Sequence, residues 1–299
     1  LLSALFIILM AIVSFSGWIY AGRALRPIQR IMNDVQNISP QDLSKRLEAS
    51  PHPDEMGKLI TIFNGLLSRI ENAFQLQKLF VSNVSHELKN PLTNITSQLE
   101  VTLLNERSKE EYQETIASVL EDIKSLNHLS NSLLDLARLN RSSDSFTMSR
   151  FRLDEILWET RENVKAIDPS YQIELLFEQM PDDESKLYVN GNPYLLKIAF
   201  QNLIENACKF APDGRAVVTL RCENHEFQIH VTDNGPGIEK KDLENVFQPF
   251  FRTDATSKVK GYGVGLPLTQ RIISIHKGRI TIDSEPGAGT KIKVILKSA

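Results

Sequence analysis

Between Leu76 and Leu136 two apolar series recur at intervals of four and three: Leu76, Phe80, Val84, Leu88, Leu92, Ile95, Leu99 and Leu103, then Ile116, Val119, Ile123, Leu126, Leu129, Leu133 and Leu136. Such spacing puts each series on one narrow side of an α-helix, as in a coiled-coil seam. A short polar break at residues 105–109 joins the two as an antiparallel hairpin. One hairpin cannot close a core around two such stripes. Two copies of the chain, contributing four stripes to one four-helix bundle, are the expected solution.

The same spacing stands upstream, with Ile28, Ile31, Val35 and Ile38 before Ser39-Pro40, and Leu59, Phe63, Leu66 and Ile70 after a polar connector holding Pro51 and Pro53. These read as two short amphipathic helices that need partners. Before them, residues 1–22 carry no charge and are dominated by Leu, Ile, Phe, Ala and Val, enough to cross a bilayer as a helix. Trp18 and Tyr20 stand near the end of this run and Arg23, Arg26 and Arg30 follow, the order expected of an aromatic belt and a positive cytoplasmic flank. A signal peptide is the competing reading, but its basic residues would precede the apolar run and a small-residue cleavage site would follow. The sequence starts at Leu1 rather than methionine, so we expect upstream sequence, and a sensor region with it. Pro27 just after the apolar run and Asp54-Glu55-Met56-Gly57 before the second short helix resemble a HAMP linker, a parallel dimeric four-helix bundle that relays a membrane signal through helix packing. A passive coiled-coil spacer would share the seam alone.

At 299 residues and 41% hydrophobic the chain has room for several domains with sizeable cores. A net charge of −3 with mixed signs supplies no basic stripe, so nucleic acid is not an expected partner. Cys208 and Cys222 lack the spacings of a zinc site or a disulfide framework, as suits a reducing cytosol.

Ser85-His86-Glu87-Leu88-Lys89-Asn90-Pro91 lies within the first long series, with His86 off the apolar stripe and solvent-accessible. Taken alone, an exposed histidine beside a glutamate is an ordinary solvated face. Pro91 lacks the backbone donor and clashes with the carbonyl four residues back, so a bend is expected beside the histidine.

After Asn140-Arg141-Ser142-Ser143-Asp144-Ser145 the periodicity changes, and strand-like runs such as residues 216–220 and 227–231 appear among helices, so a new α/β domain begins near residue 148. No P-loop and no His-Arg-Asp or Asp-Phe-Gly set occurs, and in Gly261-Tyr262-Gly263-Val264-Gly265-Leu266 the leucine takes the place of the third glycine of a dinucleotide fingerprint. Asn202 and Asn206 share a helical face with Lys209 one turn on, oxygens suited to Mg²⁺ and an ammonium suited to phosphate. Asp233-Asn234-Gly235-Pro236-Gly237-Ile238 follows a strand; its acid can accept a bond from an exocyclic amino group, and its glycines allow close backbone approach. Gly261, Gly263 and Gly265 precede Pro267 near a helix start, whose donors and dipole face a phosphate. Residues 247–260 hold Arg252, Lys258 and Lys260 and read as a lid. His276 reads as a helix-end cap whose charge the dipole favours, and His230, inside a strand, as structural.

In order and spacing these stretches resemble the H, N, G1, F, G2 and G3 boxes of two-component sensor histidine kinases: residues 85–93, 202–209, 233–237, 247–251, 261–266 and 287–290. The resemblance covers nearly all of residues 78–297, with mild departures at Gly191-Asn192, where the family more often has Gly-Asp, and at Pro267.

It implies a multidomain architecture: a transmembrane helix (1–22), a HAMP parallel four-helix bundle (23–75), an antiparallel helical-hairpin dimerisation and histidine phosphotransfer domain (76–142), and an α/β sandwich ATP-binding domain of the GHKL type (148–299). It further implies that His86 receives phosphate from ATP with Glu87 as base, and that Asn90 orients a water in members that also dephosphorylate the regulator. Asn206 with nearby Asn202 would hold Mg²⁺, Asp233 would read adenine, and Lys209 with Gly261, Gly263, Gly265 and Leu266 would hold phosphates. Gly235, Gly237 and Thr290 complete the cofactor-binding set. Implied partners are a response regulator receiver domain, a second copy of the chain and the bilayer, with the catalytic domains on the cytoplasmic side of a bacterial inner membrane. Two rivals remain: a binding-only or chaperone-like ATPase, which would lack the helical hairpin, and a scaffolding receptor, which would lack the nucleotide ligands.

Overall fold

The computed structural model describes residues 2–36, 38, 44–48, 55–141, 146–181, 187–223, 225–253, 259 and 261–299; the side chains of residues 2, 4, 21, 23–25, 27, 30, 140 and 141 lie outside that description. The expectations for Leu1, Arg23, Pro27, Arg30, Ser39-Pro40, Pro51, Pro53, Asp54, residues 142–145, Lys258 and Lys260 fall, wholly or for their side chains, outside the described residues. The chain divides into two compact units, Leu1–Ser82 and Asn83–Ala299.

In the first unit α1 (Leu2–Gln36) carries the apolar run, with Leu5, Phe6, Ile7, Phe15 and Trp18 exposed. Among the described residues, no helix is long and apolar enough to cross a membrane. Helix α2 (Glu55–Leu103) begins in this unit and corrects one expectation: the second short helix and the first hairpin helix are a single helix of 49 residues. No proline or glycine stands between Gly65 and Pro91 to stop it. The helix also runs through Pro91, which withholds the N–H that the Glu87 carbonyl would have received. The preceding segment is pinned onto α2 by Asn64, whose side chain accepts from the Leu47 N–H at 2.9 Å and donates to the Leu47 carbonyl at 3.0 Å.

In the second unit α3 (Lys109–Arg141) starts with a capping box: the Ser108 hydroxyl accepts from the Glu111 N–H at 3.2 Å, and the Glu111 carboxylate accepts from the Ser108 N–H at 2.8 Å. These bonds hold the Glu111 carboxyl below its ordinary value. The hairpin is antiparallel, since Asn94 and Gln98 of α2 reach Asp122 of α3 while Thr102 reaches Thr115. Much of its stripe stays uncovered by this chain, with Leu92, Leu99, Ile116 and Ile123 exposed, whereas Leu129, Leu136 and Leu139 are buried.

The α/β part contains strands β1 (Ser149–Arg152), β2 (Gln172–Glu178), β3 (Tyr188–Gly191), β4 (Arg215–Glu223), β5 (Glu226–Asp233), β6 (Arg279–Ser284) and β7 (Thr290–Lys297), with helices α4 (Leu153–Ile167), α5 (Pro193–Phe210) and α6 (Gly265–Ile275). Five strands form one sheet in the order β2-β4-β5-β7-β6, antiparallel except for β2 beside β4, and β1 pairs with β3 in a separate ribbon. Ala216, Val218 and Leu220 of β4, Phe227, Ile229 and Val231 of β5, and Ile292, Val294 and Leu296 of β7 are buried on one face. The alternating Thr219, His230 and Lys293 lie in register on the other face and stay half-exposed. Helices cover only the apolar face, giving a two-layer α/β sandwich. Burial and the lysines at 291 and 293 lower the His230 pKa, so His230 is a neutral strand residue at neutral pH. Cys208 on α5 is a buried free thiol pushed up to about 12, chiefly by burial, and is inert.

Candidate nucleotide and phosphotransfer site

Helix α5 sets the first side of the site. The Asn192 side chain accepts from the Leu195 N–H at 3.0 Å and Pro193 opens the helix, while Leu196, Phe200, Leu203 and Ile204 bury its inner face. The opposite face then carries Asn202, Asn206 and Lys209 into one cavity of about 560 Å³. The glycine loop forms the second side, with Gly261, Gly263, Gly265 and Leu266 in the same wall.

The glycines bring the loop close to α5, and Gly263 is the one that backbone contact requires. A Cβ on Gly261 would stand 3.0 Å from the Lys209 ammonium and one on Gly265 3.3 Å from the Asn202 Oδ1. Gly263 has φ +67°, and a Cβ there would meet the Phe251 carbonyl at 2.7 Å. Helix α6 begins at Gly265, and its N-cap Val264 offers no side-chain hydrogen bond, so its first-turn N–H groups remain available to an anion. Pro267 lies buried within that first turn without disturbing it.

Asp233 ends β5 and organises the next loops. Its Oδ1 accepts from the Gly235 N–H at 2.8 Å and the Thr290 N–H at 3.2 Å. Burial raises its pKa against the lowering effect of those two bonds. The Ser284 hydroxyl donates to the Gly289 carbonyl, accepts from the Ile238 N–H and lies 3.0 Å from the Thr290 hydroxyl, which laces the loops at 233–238 and 285–290 together. Asp233, Gly235, Gly237 and Thr290 do not line the cavity. The nearest link is Gly235, where an added Cβ would stand 2.9 Å from the carbonyl oxygen of Phe210, a lining residue.

The hairpin forms the remaining wall. Glu87 is half-buried there beside Asp122, Ser125, His128 and Leu129, whereas His86 and Asn90 are exposed on α2 outside the wall. Arg271 of α6 donates through Nε at 3.1 Å and Nη2 at 3.0 Å to the Leu139 carbonyl near the end of α3, fastening the nucleotide side to the hairpin. The described part of residues 247–260 includes Arg252, which donates to the Val259 carbonyl at 2.5 Å.

Four wall residues escaped sequence reasoning. Glu205 precedes Asn206 directly, and that position was its only signal. Tyr262 stands inside the quoted glycine motif, which is its only signal, whereas Tyr171 and Asp122 come together with the site only through the fold. A smaller cavity of about 400 Å³ between α3 and α5 shares Asn202, His128 and Ser132 with the first but contains none of the glycine loop.

His276 also caps as expected, though for another reason. It is buried at the end of α6; its Nε2 accepts from the Asn192 N–H at 2.9 Å, and its Nδ1 lies 2.8 Å from the Ile272 carbonyl, the pattern of a neutral ring protonated on Nδ1. Burial lowers its pKa from 6.5, with the Ile272 carbonyl opposing in part, so the dipole does not hold a cation here. A Cβ on Gly191 would stand 2.4 Å from the ring, so the glycine admits the histidine. A depressed histidine contributes stability fully above its unfolded value and loses it as pH falls through the folded value. The urea midpoint is therefore expected to fall as pH drops from about 6.5 to 5, and His276→Gln to flatten that slope; an unchanged slope in the variant would remove His276 as the cause.

Three domain families match this chain: HAMP domain at residues 19–72, His Kinase A (phospho-acceptor) domain at 76–142, and Histidine kinase-, DNA gyrase B-, and HSP90-like ATPase at 191–299. Sensor histidine kinase CusS of Escherichia coli O157:H7 is 30% identical over 295 residues, covering 97% of this chain and 58% of CusS, so the chain spans little more than half of that relative. Sensor protein CutS of Streptomyces coelicolor is 31% identical over 294 residues, covering 96% of this chain and 69% of CutS. Among solved structures, histidine kinase ThkA in complex with response regulator protein TrrA has the same fold, with a TM-score of 0.60 at 18% identity over 77% of this chain and 64% of that one. With a phosphoacceptor hairpin, a GHKL-type ATPase domain and a relative of this similarity spanning the whole arrangement, the chain belongs to the sensor histidine kinases of two-component systems.

Proposed function

We propose that the protein is a membrane-anchored, homodimeric protein-histidine kinase that binds ATP with Mg²⁺, phosphorylates His86 and passes the phosphoryl group to an aspartate of a response regulator. The observation that carries this is the shared cavity, in which Asn202, Asn206, Lys209 and the glycine loop face the Glu87 that adjoins His86.

By the family resemblance Asp233 receives the exocyclic amino group of adenine and the Gly235 and Gly237 backbones let the base approach, although these three stand outside the lining of the cavity that holds Asn202, Asn206 and Lys209. Thr290 supports Asp233 through its N–H. Lys209, the Gly261, Gly263 and Gly265 backbones and the Leu266 N–H in the first turn of α6 hold the phosphates. The oxygen donors of Asn206 and nearby Asn202 fit Mg²⁺, which takes few protein ligands and completes its shell with phosphate and water. When bound, the ion neutralises charge on the transferring group. His86 attacks the γ-phosphorus through one imidazole nitrogen; an N–P bond forms, the bridging O–P bond breaks and ADP leaves, while Glu87 takes the proton from the other nitrogen. Transfer to the regulator aspartate then restores the histidine. Asn90, one turn from His86, orients water for regulator dephosphorylation.

Membrane anchoring is supported by the uncharged run at residues 1–22, which is helical from Leu2 and exposes Leu5, Phe6, Ile7, Phe15 and Trp18. A second copy is supported by the uncovered hairpin stripe. The test is to incubate the 299-residue chain with labelled ATP and Mg²⁺. Acid-labile, base-stable label on the chain is the expected result, and its absence would sink the kinase reading. Asn206→Ala is expected to weaken nucleotide binding by tenfold or more, about 1.4 kcal/mol, as read by a fluorescent ATP analogue.

A further inference from the structure

The cavity's hairpin wall holds more than Glu87. Asp122 of α3 lies in the same lining, and its Oδ2 accepts from Asn94 Nδ2 at 2.8 Å and Gln98 Nε2 at 3.3 Å, two amides of α2 that fix the carboxylate's direction. On the facing wall Tyr262 projects from the glycine loop between Gly261 and Gly263. Among the described residues, no hydrogen bond reaches Asp122 Oδ1 or the Tyr262 hydroxyl. Burial first, and then the charges of Glu87 and Asp122, push that hydroxyl above its ordinary value, so both carboxylates lie within electrostatic reach of it. A phenol donates and a carboxylate accepts, and a bond of that kind is short and directional.

His86 stands outside this wall while its neighbour Glu87 is part of it, so phosphoryl transfer requires the glycine loop and a histidine to be brought together. We propose that Tyr262 is a positioning residue for that step: its hydroxyl docks on the Asp122 carboxylate that Asn94 and Gln98 hold ready, and the contact sets the height at which the glycine loop meets the His86-Glu87 pair. No bond to the nucleotide is involved. The contact constrains orientation, on which in-line transfer depends steeply. Because Tyr262 lies inside the phosphate loop, its register on the hairpin is the register of the phosphate. The inference rests on the kinase reading above.

The experiment uses the full chain as wild type, Tyr262→Phe, Asp122→Asn and the double variant, measuring His86 labelling against ATP concentration and, separately, affinity for a fluorescent ATP analogue. Each single variant is expected to lower kcat about tenfold, with KM for ATP and analogue affinity unchanged, and the double variant to fall no further than the worse single. An unchanged kcat in Tyr262→Phe overturns the proposal. A raised kcat also overturns it, by making the contact a restraint. Weakened analogue binding overturns it by assigning Tyr262 to nucleotide grip, and additive losses in the double variant overturn the pairing. Should Asp122→Asn lower the melting temperature, Asn94→Ala, which keeps the carboxylate and removes one support, carries the same expectation at smaller size. Failure of the kinase reading is distinguishable, because the wild type itself would then take no label.

Discussion

His86→Gln is expected to reduce acid-labile labelling to background while leaving both folding and ATP affinity at wild-type values. The side chain is exposed on α2 and lies outside the cavity wall, so its replacement removes no buried contact. Exposed substitutions of this type usually shift stability by less than about 0.5 kcal/mol, and glutamine is as good a helix former as histidine or better. What it lacks is a nucleophilic nitrogen, since the amide lone pair is delocalised into the carbonyl. The effect should therefore fall wholly on the chemical step.

The control that gives this result meaning is His128→Gln. His128 does line the cavity, with its Nδ1 3.2 Å from the Ser132 hydroxyl, and among the described residues it is the histidine in that lining. Labelling is expected to survive its replacement. Label lost in His128→Gln and kept in His86→Gln would reassign the nucleophile to α3.

Gly289→Ala is expected to cost about 3 to 5 kcal/mol and to abolish nucleotide binding with it, summing a strained left-handed residue and an overpacked contact. Gly289 has φ +84°, and a Cβ there would fall 2.0 Å from the Asp233 carbonyl oxygen. Both partners are backbone, so no rotamer change relieves the overlap. The main chain must move at the residue whose carboxylate accepts the Thr290 and Gly235 N–H groups. Two residues away, Gly287 has φ +79° but nothing within 4 Å of the same added methyl. Gly287→Ala bears only the conformational term, about 1 kcal/mol, and should keep nucleotide affinity. Urea denaturation and analogue binding on the pair separate the two causes; equal losses would show that the clash at Asp233 is not what matters.

The parts of the fold that a sequence can display are those with a period or a breaker. The seam residues from Leu76 to Leu136 announce the hairpin because apolar side chains recur on one helical side every three or four residues. Residues 216–220 and 227–231 announce β4 and β5 because they are short runs rich in β-branched and large apolar residues. By contrast, β1 and β3 have four residues each, too short for any period, and β2 is an edge strand whose QIELLFE does not alternate cleanly. The continuity of α2 across residues 75 and 76 is not legible, because a change of domain is not a change of backbone conformation when no proline or glycine enforces one. At the site, Asn202, Asn206 and Lys209 were legible from helical spacing. Asp122 was not, since its bonds to Asn94 and Gln98 span 28 and 24 residues and depend on how two helices pair. The neutral state of His276 was equally hidden, because its donor comes from Asn192, 84 residues away.

That same histidine has a consequence for ligand affinity. Through it the C-terminal end of α6 is hydrogen-bonded to the backbone that opens α5, and these two helices carry the first-turn donors and the Asn202, Asn206 and Lys209 side chains respectively. Their relative placement is settled when the chain folds, so an incoming nucleotide orders neither helix and its binding free energy is not spent on assembling its own receptor.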